Sequence, residues 1–182
     1  EDFLLVQYFT PAWKSYLPLL GDVLRDVYAP RGIYCKFRPQ ETRKIAAGEK
    51  GPSLQARLLA GENAPADLVV KENGLHYRVD LVKDLNTGLF HDQRSNRLEF
   101  GRLAAGCRVL NLFAYTGAFS AAAAAGGAQQ VTSVDVSGRY LNWARDNFRL
   151  NDIMPEDHEF ITGDCFDELD RMAKSERQFD IV

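Results

Sequence analysis

From Cys107 onward, the sequence alternates between short apolar runs and segments of helical periodicity. The runs predicted as strands are residues 108–112, 130–135, 159–162 and the beginning of another at 179–182. The segments predicted as helices are residues 118–125, 138–150 and 166–173. Consecutive strand–helix units require parallel strands that are joined by crossover helices. This part of the chain therefore predicts a doubly wound, Rossmann-like parallel sheet.

The first part of the chain predicts an α+β region, so the fold class is α/β. After Thr10 and Pro11, an N-cap and a first-turn proline, apolar residues from Tyr16 to Val27 recur at helical spacing. Asn73-Gly74 lies between two β-rich runs and predicts a hairpin. The predicted strands are residues 2–8, 32–37, 67–72 and 75–82; the predicted loops are residues 46–66 and 83–91; and residues 92–104 are a predicted helix.

Composition excludes several classes of protein. With 46% hydrophobic and 26% charged residues the chain is globular, and no apolar run approaches the ~18 residues of a membrane span. Its first residues lack the features of a secretory signal. Three widely spaced cysteines, Cys35, Cys107 and Cys165, fit neither a disulfide framework nor a metal site. We therefore expect a cytoplasmic protein without a metal.

Charge is distributed unevenly along the sequence. Residues 1–105 carry 15 Lys and Arg against 13 Asp and Glu, whereas residues 106–182 carry 7 against 12. Between Arg31 and Lys50, basic residues are interleaved with Tyr34 and Phe37. Basic residues mixed with aromatics suit nucleic-acid binding, although an ordinary solvated surface has the same composition.

Candidate ligand-binding residues follow the predicted parallel strands, where open sheets bind ligands. The first strand leads from Asn111 into a turn with a single glycine, Gly117, and lacks the GxGxxG pattern that binds a pyrophosphate. The second strand ends at Asp135, whose carboxylate can accept hydrogen bonds from ribose hydroxyls, and Asp164 follows the third. This set favours an adenosine without phosphates, namely S-adenosylmethionine, although Asp164 could equally be a helix N-cap.

Two long motifs carry a resemblance to a known family. Residues 83–97 contain Thr87-Gly88 and Asp92-Gln93-Arg94, and residues 109–120 contain the glycine turn; shorter matches lie at residues 133–151 and 179–182. In this order the motifs resemble the class I methyltransferases of large-subunit ribosomal RNA, typified by a cytosine C5 enzyme. The resemblance implies S-adenosylmethionine as cofactor, ribosomal RNA as substrate and no membrane partner; the oligomeric state stays open.

The resemblance also implies roles for individual residues. Phe90, Gln93 and Arg94 would border the methionine end of the cofactor, with Arg94 near its carboxylate. The predicted cofactor-binding set is Phe90, Gln93, Arg94, Asn111, Phe113, Tyr115, Thr116, Gly117, Asp135, Asp164 and Cys165. Gln93 and Arg94 could instead begin a solvated helix, Tyr115 could pack in the core, and Cys165 could be a small buried thiol.

The predicted domains are residues 1–82, a central α+β region that could contact RNA; residues 83–105, a signature loop and helix; and residues 106–182, the N-terminal half of a methyltransferase domain. The resemblance places the catalytic residues beyond Val182, so we expect the chain alone to be inactive. Cytosine C5 is the favoured target and guanine N7 the second. His91 and Asn86 depart from the family pattern.

The sequence alone leaves two other functions open. A nicotinamide-dependent oxidoreductase could have the same type of fold, but the missing GxGxxG pattern argues against it. An RNA-binding module without activity is the alternative that is not an enzyme.

Overall fold

A computed structural model of the protein describes residues 2–40, 42, 51 and 53–182. The chain forms two compact units: residues 1–68 with 79–87, and residues 69–78 with 88–182. The domain boundaries given above stay a prediction.

The first unit contains a three-stranded sheet in the order β1-β2-β3. Strand β1 (Phe3–Tyr8) is parallel to β2 (Gly32–Phe37), and β2 is antiparallel to β3 (Arg57–Gly61). A 3₁₀ turn (Pro11–Tyr16) and helix α1 (Leu17–Tyr28) connect β1 to β2. As predicted, Thr10 caps the turn, accepting a hydrogen bond from the backbone N–H of Ala12 at 3.4 Å.

Strand β3 corrects the prediction of a loop over residues 46–66. Residues 57–61 pair with β2 in a register that shifts between Ile33 and Tyr34. Among the described residues, β3 pairs with β2 alone and lies at the edge of the sheet. Its residues show no alternation of apolar and polar types. Its strand conformation therefore depends on pairing with a distant segment. Residues 46–50 and 52 of the predicted loop lie outside the described residues.

The basic stretch of the first unit is less accessible than the sequence suggested. Lys36 is 1% exposed, and its Nζ atom donates to the carbonyl oxygen of Asp84 at 2.6 Å. Burial lowers the pKa of Lys36. The Arg31 guanidinium pairs with Glu62. Lys36 therefore cannot contact RNA phosphates; Arg43, Lys44 and Lys50 lie outside the described residues.

The second unit begins with the predicted hairpin. Its strands are β4 (Val69–Glu72) and β5 (Leu75–Arg78), shorter at both outer ends than predicted. Asn73 and Gly74 have φ angles of 52° and 88°, as a two-residue turn of type I′ requires. A 3₁₀ turn (His91–Gln93) then leads into helix α2 (Arg94–Leu103).

The parallel sheet of the second unit confirms the predicted fold class. Its strands are β6 (Arg108–Leu112), β7 (Gln130–Asp135) and β8 (Glu159–Thr162), in that order. The helices are α3 (Ala118–Ala125), α4 (Gly138–Arg149) and α5 (Cys165–Lys174), each within one residue of its predicted bounds. On the other side of β6, Val109 pairs in parallel with Ile181. The strand order therefore reverses at β6, and this switch point is where such sheets bind ligands.

Candidate functional site

The turn after β6, residues 113–117, contains three residues in the left-handed backbone conformation. Phe113, Tyr115 and Gly117 have φ angles of 54°, 52° and 68°. This conformation costs the two aromatic residues on the order of 1 kcal/mol or more each. A methyl group at Gly117 would lie 2.5 Å from Cβ of Ala144, so the position requires glycine. Such strain is typical of functional sites, and we call residues 113–117 the glycine turn.

The carboxylate of Asp135, at the end of β7, holds the glycine turn in place. Its Oδ2 atom accepts a hydrogen bond from the backbone N–H of Tyr115 at 2.8 Å, and Oδ1 accepts one from the backbone N–H of Ser137 at 2.9 Å. The residue is 9% exposed. Each carboxylate oxygen has two lone pairs. Asp135 therefore anchors the turn and can still accept two further hydrogen bonds.

Thr116 joins the glycine turn to other segments of the second unit. Its buried hydroxyl donates to the carbonyl oxygen of Gly88 at 2.5 Å, and its carbonyl oxygen accepts from Nδ2 of Asn147 at 2.8 Å. In β6, Nδ2 of Asn111 donates to Oγ of Ser120 at 2.8 Å. These hydrogen bonds, all within the chain, fix the backbone around the site.

A cavity of about 160 Å³ lies against the glycine turn. Six of the predicted cofactor-binding residues line it, namely Phe90, Gln93, Asn111, Phe113, Tyr115 and Thr116. Five residues that the sequence reasoning missed complete the lining, namely Gly88, Arg97, Ala114, Ala118 and Phe119. Cavities that enclose a whole small molecule measure about 300–1,000 Å³. This one can therefore enclose only one end of a ligand as large as S-adenosylmethionine.

Arg97 is the buried cation of this cavity. Its Nε and Nη2 atoms donate to the two carboxylate oxygens of Glu72 at 2.7 and 2.9 Å, and Nη2 also donates to the carbonyl oxygen of Phe90 at 2.8 Å. The two side chains are 2% and 7% exposed. Arg97 also lines a second cavity, of about 310 Å³, between the β4–β5 hairpin and helices α2 and α3. The feature of the sequence that could have identified Arg97 is its position as a second arginine, three residues after Arg94.

Arg94 does not line the 160 Å³ cavity. Its Nε atom donates to Oδ1 of Asn73 at 3.4 Å, and its carbonyl oxygen accepts from Nδ2 of the same residue at 2.9 Å. Gln93 does line the cavity, and its side chain accepts a hydrogen bond from Asn96 and donates one to Asp92. The predicted contact of Arg94 with a cofactor carboxylate stays a prediction.

Asp164 and Cys165 stand at the end of β8. Asp164 is the N-cap of α5, since its Oδ1 atom accepts from the backbone N–H groups of Phe166 and Asp167 at 2.9 and 3.3 Å. Cys165 is 3% exposed, and its sulfur accepts a hydrogen bond from the backbone N–H of Phe113 at 3.2 Å. Both residues therefore have structural roles next to the glycine turn, and their cofactor contacts stay predictions.

Large apolar side chains remain exposed at this edge of the sheet. Phe113 and Phe166 are 65% and 70% exposed, and their ring centroids lie 6.1 Å apart. Val136, directly after Asp135, is 76% exposed. Sequence reasoning missed Val136 and Phe166, because only exposure in the folded chain separates them from core residues. Exposed apolar groups beside a carboxylate suit a ligand in which a flat ring is joined to a part that carries hydroxyl groups.

The ring of Tyr115 packs between two others. Its centroid lies 5.7 Å from that of Phe90 and 4.5 Å from that of Tyr140. Close by, the hydroxyl of Tyr77 donates to the carbonyl oxygen of Ala118 at 3.4 Å, and burial raises the pKa of Tyr77 to about 12. Aromatic packing therefore supports one wall of the cavity.

Two features are absent from the part of the chain that the structure describes. Within residues 2–40, 42, 51 and 53–182, no group of three or more His, Cys, Asp or Glu side chains is arranged to hold a metal ion. In the same part of the chain, no helix combines the length and apolar character needed to cross a membrane.

The family model for S-adenosylmethionine-dependent methyltransferases matches residues 40–182. The chain belongs to this family. Methyltransferase K of the large-subunit ribosomal RNA from Neisseria meningitidis serogroup B is 38% identical, over 100% of this chain and 51% of the relative. Methyltransferase K/L of the same RNA from Aeromonas hydrophila is 44% identical, over 100% of this chain and 25% of the relative. This methyltransferase chain thus spans about half the length of the first relative and a quarter of the second.

Solved structures of methyltransferases agree with the fold. A protein from Streptococcus mutans, described as a SAM-dependent methyltransferase, superimposes with a TM-score of 0.85 at 33% identity, covering 99% of this chain and 45% of that one. A methyltransferase solved in complex with SAH gives a TM-score of 0.86 at 33% identity, covering 99% and 44%. The predicted family is therefore confirmed. Because the chain belongs to a methyltransferase family, the alternative of a nicotinamide-dependent oxidoreductase no longer applies.

Proposed function

We propose that this chain binds S-adenosylmethionine at the carboxyl edge of its parallel sheet and forms part of an enzyme that methylates a base of large-subunit ribosomal RNA. The observation that carries the proposal is the strained glycine turn, hydrogen-bonded to Asp135 at the switch point of the sheet. When bound, the cofactor supplies an electrophilic methyl group on its sulfonium. The protein residues bind and orient it.

The nucleoside half of the cofactor fits the groups at the ends of β7 and β8. Asp135 has one acceptor position left on each oxygen, which matches the two vicinal hydroxyls of a ribose. Val136 and Phe166 offer exposed apolar surface for the faces of the adenine ring. Asp164 lies two residues before Phe166, and its carboxylate accepts a hydrogen bond from the backbone N–H of Phe166, so it belongs to the same region.

The methionine half fits the 160 Å³ cavity. Phe90, Tyr115 and Phe119 provide apolar and aromatic walls. Gln93, Arg97, Asn111 and Thr116 are the polar residues of the lining, and the Arg97 guanidinium there is buried and paired with Glu72. A cation near the carboxylate of an amino acid is favourable. The charge of Arg97 is already paired with Glu72, so Arg97 offers the carboxylate the N–H donors of Nη1 and not an uncompensated charge. We assign Arg97, together with the predicted Arg94, to the carboxylate end of the cofactor on that basis.

The proposed substrate class is supported by the relatives, two of which are named as large-subunit ribosomal RNA methyltransferases. Cytosine C5 and guanine N7 make different demands on the enzyme. C5 becomes nucleophilic only after a thiolate adds to the neighbouring C6 atom, whereas N7 has a lone pair and needs mainly to be positioned. Cys165 is enclosed in the core beside Leu110, Val134 and Met172, so it is not that thiolate. Identifying the methylated nucleoside by mass spectrometry decides between the two targets.

Calorimetric titration of the chain with S-adenosylhomocysteine tests the cofactor site. We expect binding heat with the wild-type chain and at least about 10-fold weaker binding with Asp135→Asn, because hydrogen bonds to a charged acceptor are worth about 1.5–3 kcal/mol each. Asp170→Asn, an exposed carboxamide substitution in α5, is the matched control and should bind like wild type.

The absence of heat in a wild-type chain that unfolds cooperatively would contradict the proposal. A methyl-transfer assay on ribosomal RNA, run with this chain and with its longer parent protein, distinguishes an enzyme from an RNA-binding module. We expect methylation by the parent only. A cytoplasmic location, where ribosomal RNA is modified, is part of the proposal.

A further inference from the structure

Three side chains on one face of α4 and its C-terminal extension cover the outer edge of the β4–β5 hairpin. Strand β5 pairs with β4 on one side, and among the described residues no strand pairs with its other side. Such an edge presents backbone N–H and C=O groups that have no partner in the sheet. Trp143, Asn147 and Asn151 bond these groups, and their four-residue spacing places them on one face of the helix. We call these three residues the α4 ladder.

The hydrogen bonds of the α4 ladder reach two alternate residues of β5. Asn151 accepts from the backbone N–H of His76 and donates to its carbonyl oxygen, both at 2.7 Å. At Arg78, Oδ1 of Asn147 accepts from the backbone N–H at 2.9 Å, and Nε1 of Trp143 donates to the carbonyl oxygen at 3.1 Å. The face of α4 therefore takes the place of a neighbouring strand.

The side chain of Asn147 also bonds the glycine turn. Its Nδ2 atom donates to the carbonyl oxygen of Thr116 at 2.8 Å, while its Oδ1 atom accepts from Arg78. A carboxamide has its acceptor and its donors on two different atoms, and here each atom serves a different segment of the chain. The residue is 1% exposed, so water can replace neither partner. Asn147 thus joins the edge of the hairpin to the glycine turn.

The bond from Asn147 acts on the most strained part of the glycine turn. Thr116 lies between Tyr115 and Gly117, whose φ angles of 52° and 68° are both left-handed. Strained backbone of this kind persists only where the surrounding structure holds it. Asp135 holds the backbone N–H of Tyr115, and Asn147 holds the carbonyl oxygen of Thr116. Without the second of these bonds, the turn can relax away from the conformation in which it lines the cavity.

We propose that Asn147 is a positioning residue for S-adenosylmethionine, which keeps the glycine turn in its binding conformation and couples it to the edge of the β4–β5 hairpin. Asn147 does not line the 160 Å³ cavity, so it acts through Thr116. The inference rests on the proposed cofactor site. When only a fraction of the molecules has the binding conformation, the apparent dissociation constant rises by the inverse of that fraction. Because coupling between two sites is reciprocal, cofactor binding should also stabilise the edge of the hairpin.

Calorimetric titration with S-adenosylhomocysteine compares two equivalent substitutions. Asn147→Asp keeps the acceptor for Arg78, but it replaces the donor to Thr116 with an oxygen that repels the carbonyl group. We expect at least about 10-fold weaker binding, which corresponds to about a tenth of the molecules in the binding conformation. Asn151→Asp is the matched control, since it removes the donor to His76 from the same α4 ladder and has no bond to the glycine turn. It should bind within about 2-fold of wild type.

Amide hydrogen exchange, measured residue by residue, distinguishes positioning from a general structural role. Both variants should exchange faster at the edge of the hairpin, whereas only Asn147→Asp should exchange faster in residues 113–117. In the wild-type chain, saturating S-adenosylhomocysteine should slow exchange of the Arg78 amide at least about 3-fold more than that of the His76 amide. Thermal unfolding verifies that the variants are folded.

The outcomes separate this inference from the proposed function. A folded wild-type chain that gives no binding heat contradicts the proposed function and overturns the inference with it. If wild type binds and Asn147→Asp binds as tightly as Asn151→Asp, the inference alone is overturned. Equal slowing of the Arg78 and His76 amides in wild type also overturns it, and that measurement decides the matter even if Asn147→Asp does not fold.

Discussion

The pair of Arg97 and Glu72 is the most consequential contact between single residues at the site. It joins helix α2 to the turn of the β4–β5 hairpin, and the same guanidinium holds the carbonyl oxygen of Phe90 in the cavity wall. Removing one partner of such a pair leaves the other charge buried without compensation, whereas replacing both with apolar groups often does little harm.

Arg97→Met should therefore destabilise the second unit by about 3–5 kcal/mol, and Arg97→Met with Glu72→Leu should recover most of that loss. Urea unfolding followed by Trp143 fluorescence, in a Trp13→Phe background, measures the free energy of unfolding of this unit. If Arg97→Met lowers the free energy of unfolding by less than about 1 kcal/mol, water must solvate the carboxylate of Glu72 in place of the guanidinium.

The sequence analysis predicted Asp135 as a cofactor-binding residue but did not include Arg97, and the difference has a physical reason. A carboxylate at the end of a predicted parallel strand has a position that the topology determines. The role of Arg97 depends on Glu72, which lies 25 residues away along the chain. Local sequence patterns carry no information on that pairing. Only the folded structure therefore distinguishes Arg97, which is buried and paired with Glu72, from Arg94, whose Nε atom donates a hydrogen bond to Asn73.

Among the elements, the glycine turn has the strictest requirements. Gly117 needs a left-handed φ and also lies too close to Ala144 for any side chain. Gly127 has a φ of 90° and open space around it. Comparing the two glycines therefore separates backbone strain from steric overlap.

We expect Gly117→Ala to cost about 2–4 kcal/mol, of which about 1–2 arises from the backbone and the rest from overlap with Ala144. Gly127→Ala should cost only about 1 kcal/mol. Differential scanning calorimetry of both variants measures the difference. Equal losses would mean that α4 moves to accommodate the methyl group.

Prediction of elements succeeded where the local pattern and the long-range structure agree. Strands β6, β7 and β8 are flanked by helices of clear periodicity, and their bounds were predicted to the residue. Strand β3 was missed, because it forms only by pairing with β2 across more than 20 residues.

For the whole molecule, pH acts on stability through a histidine far from the site. Nδ1 of His158 accepts a hydrogen bond from the backbone N–H of Val131 at 3.1 Å, and burial lowers the pKa of His158 below its ordinary value of 6.5. As the pH falls, His158 is therefore protonated at a higher pH in the unfolded chain than in the folded chain. The contribution of neutral His158 to the free energy of unfolding is complete above pH 6.5, and it decreases as the pH falls towards the lowered pKa of the folded chain.

We expect the melting temperature of wild type to fall between pH 7 and pH 5 more than that of His158→Asn, whose amide oxygen can accept the same hydrogen bond without titrating. The loss should stay well below the limit of about 1.4 kcal/mol per pH unit for one proton, because the ring is only partly buried. Parallel pH profiles of the two proteins would contradict the assignment.

The anchoring of the glycine turn by Asp135 has a consequence for the kinetics of ligand recognition. The conformational entropy of residues 113–117 is lost when the chain folds, since a hydrogen bond within the chain, from Tyr115 to the Asp135 carboxylate, holds their strained backbone. Binding then requires little rearrangement, so preorganisation favours affinity. The rate of association should accordingly depend on diffusion and orientation, not on a slow ordering of the loop.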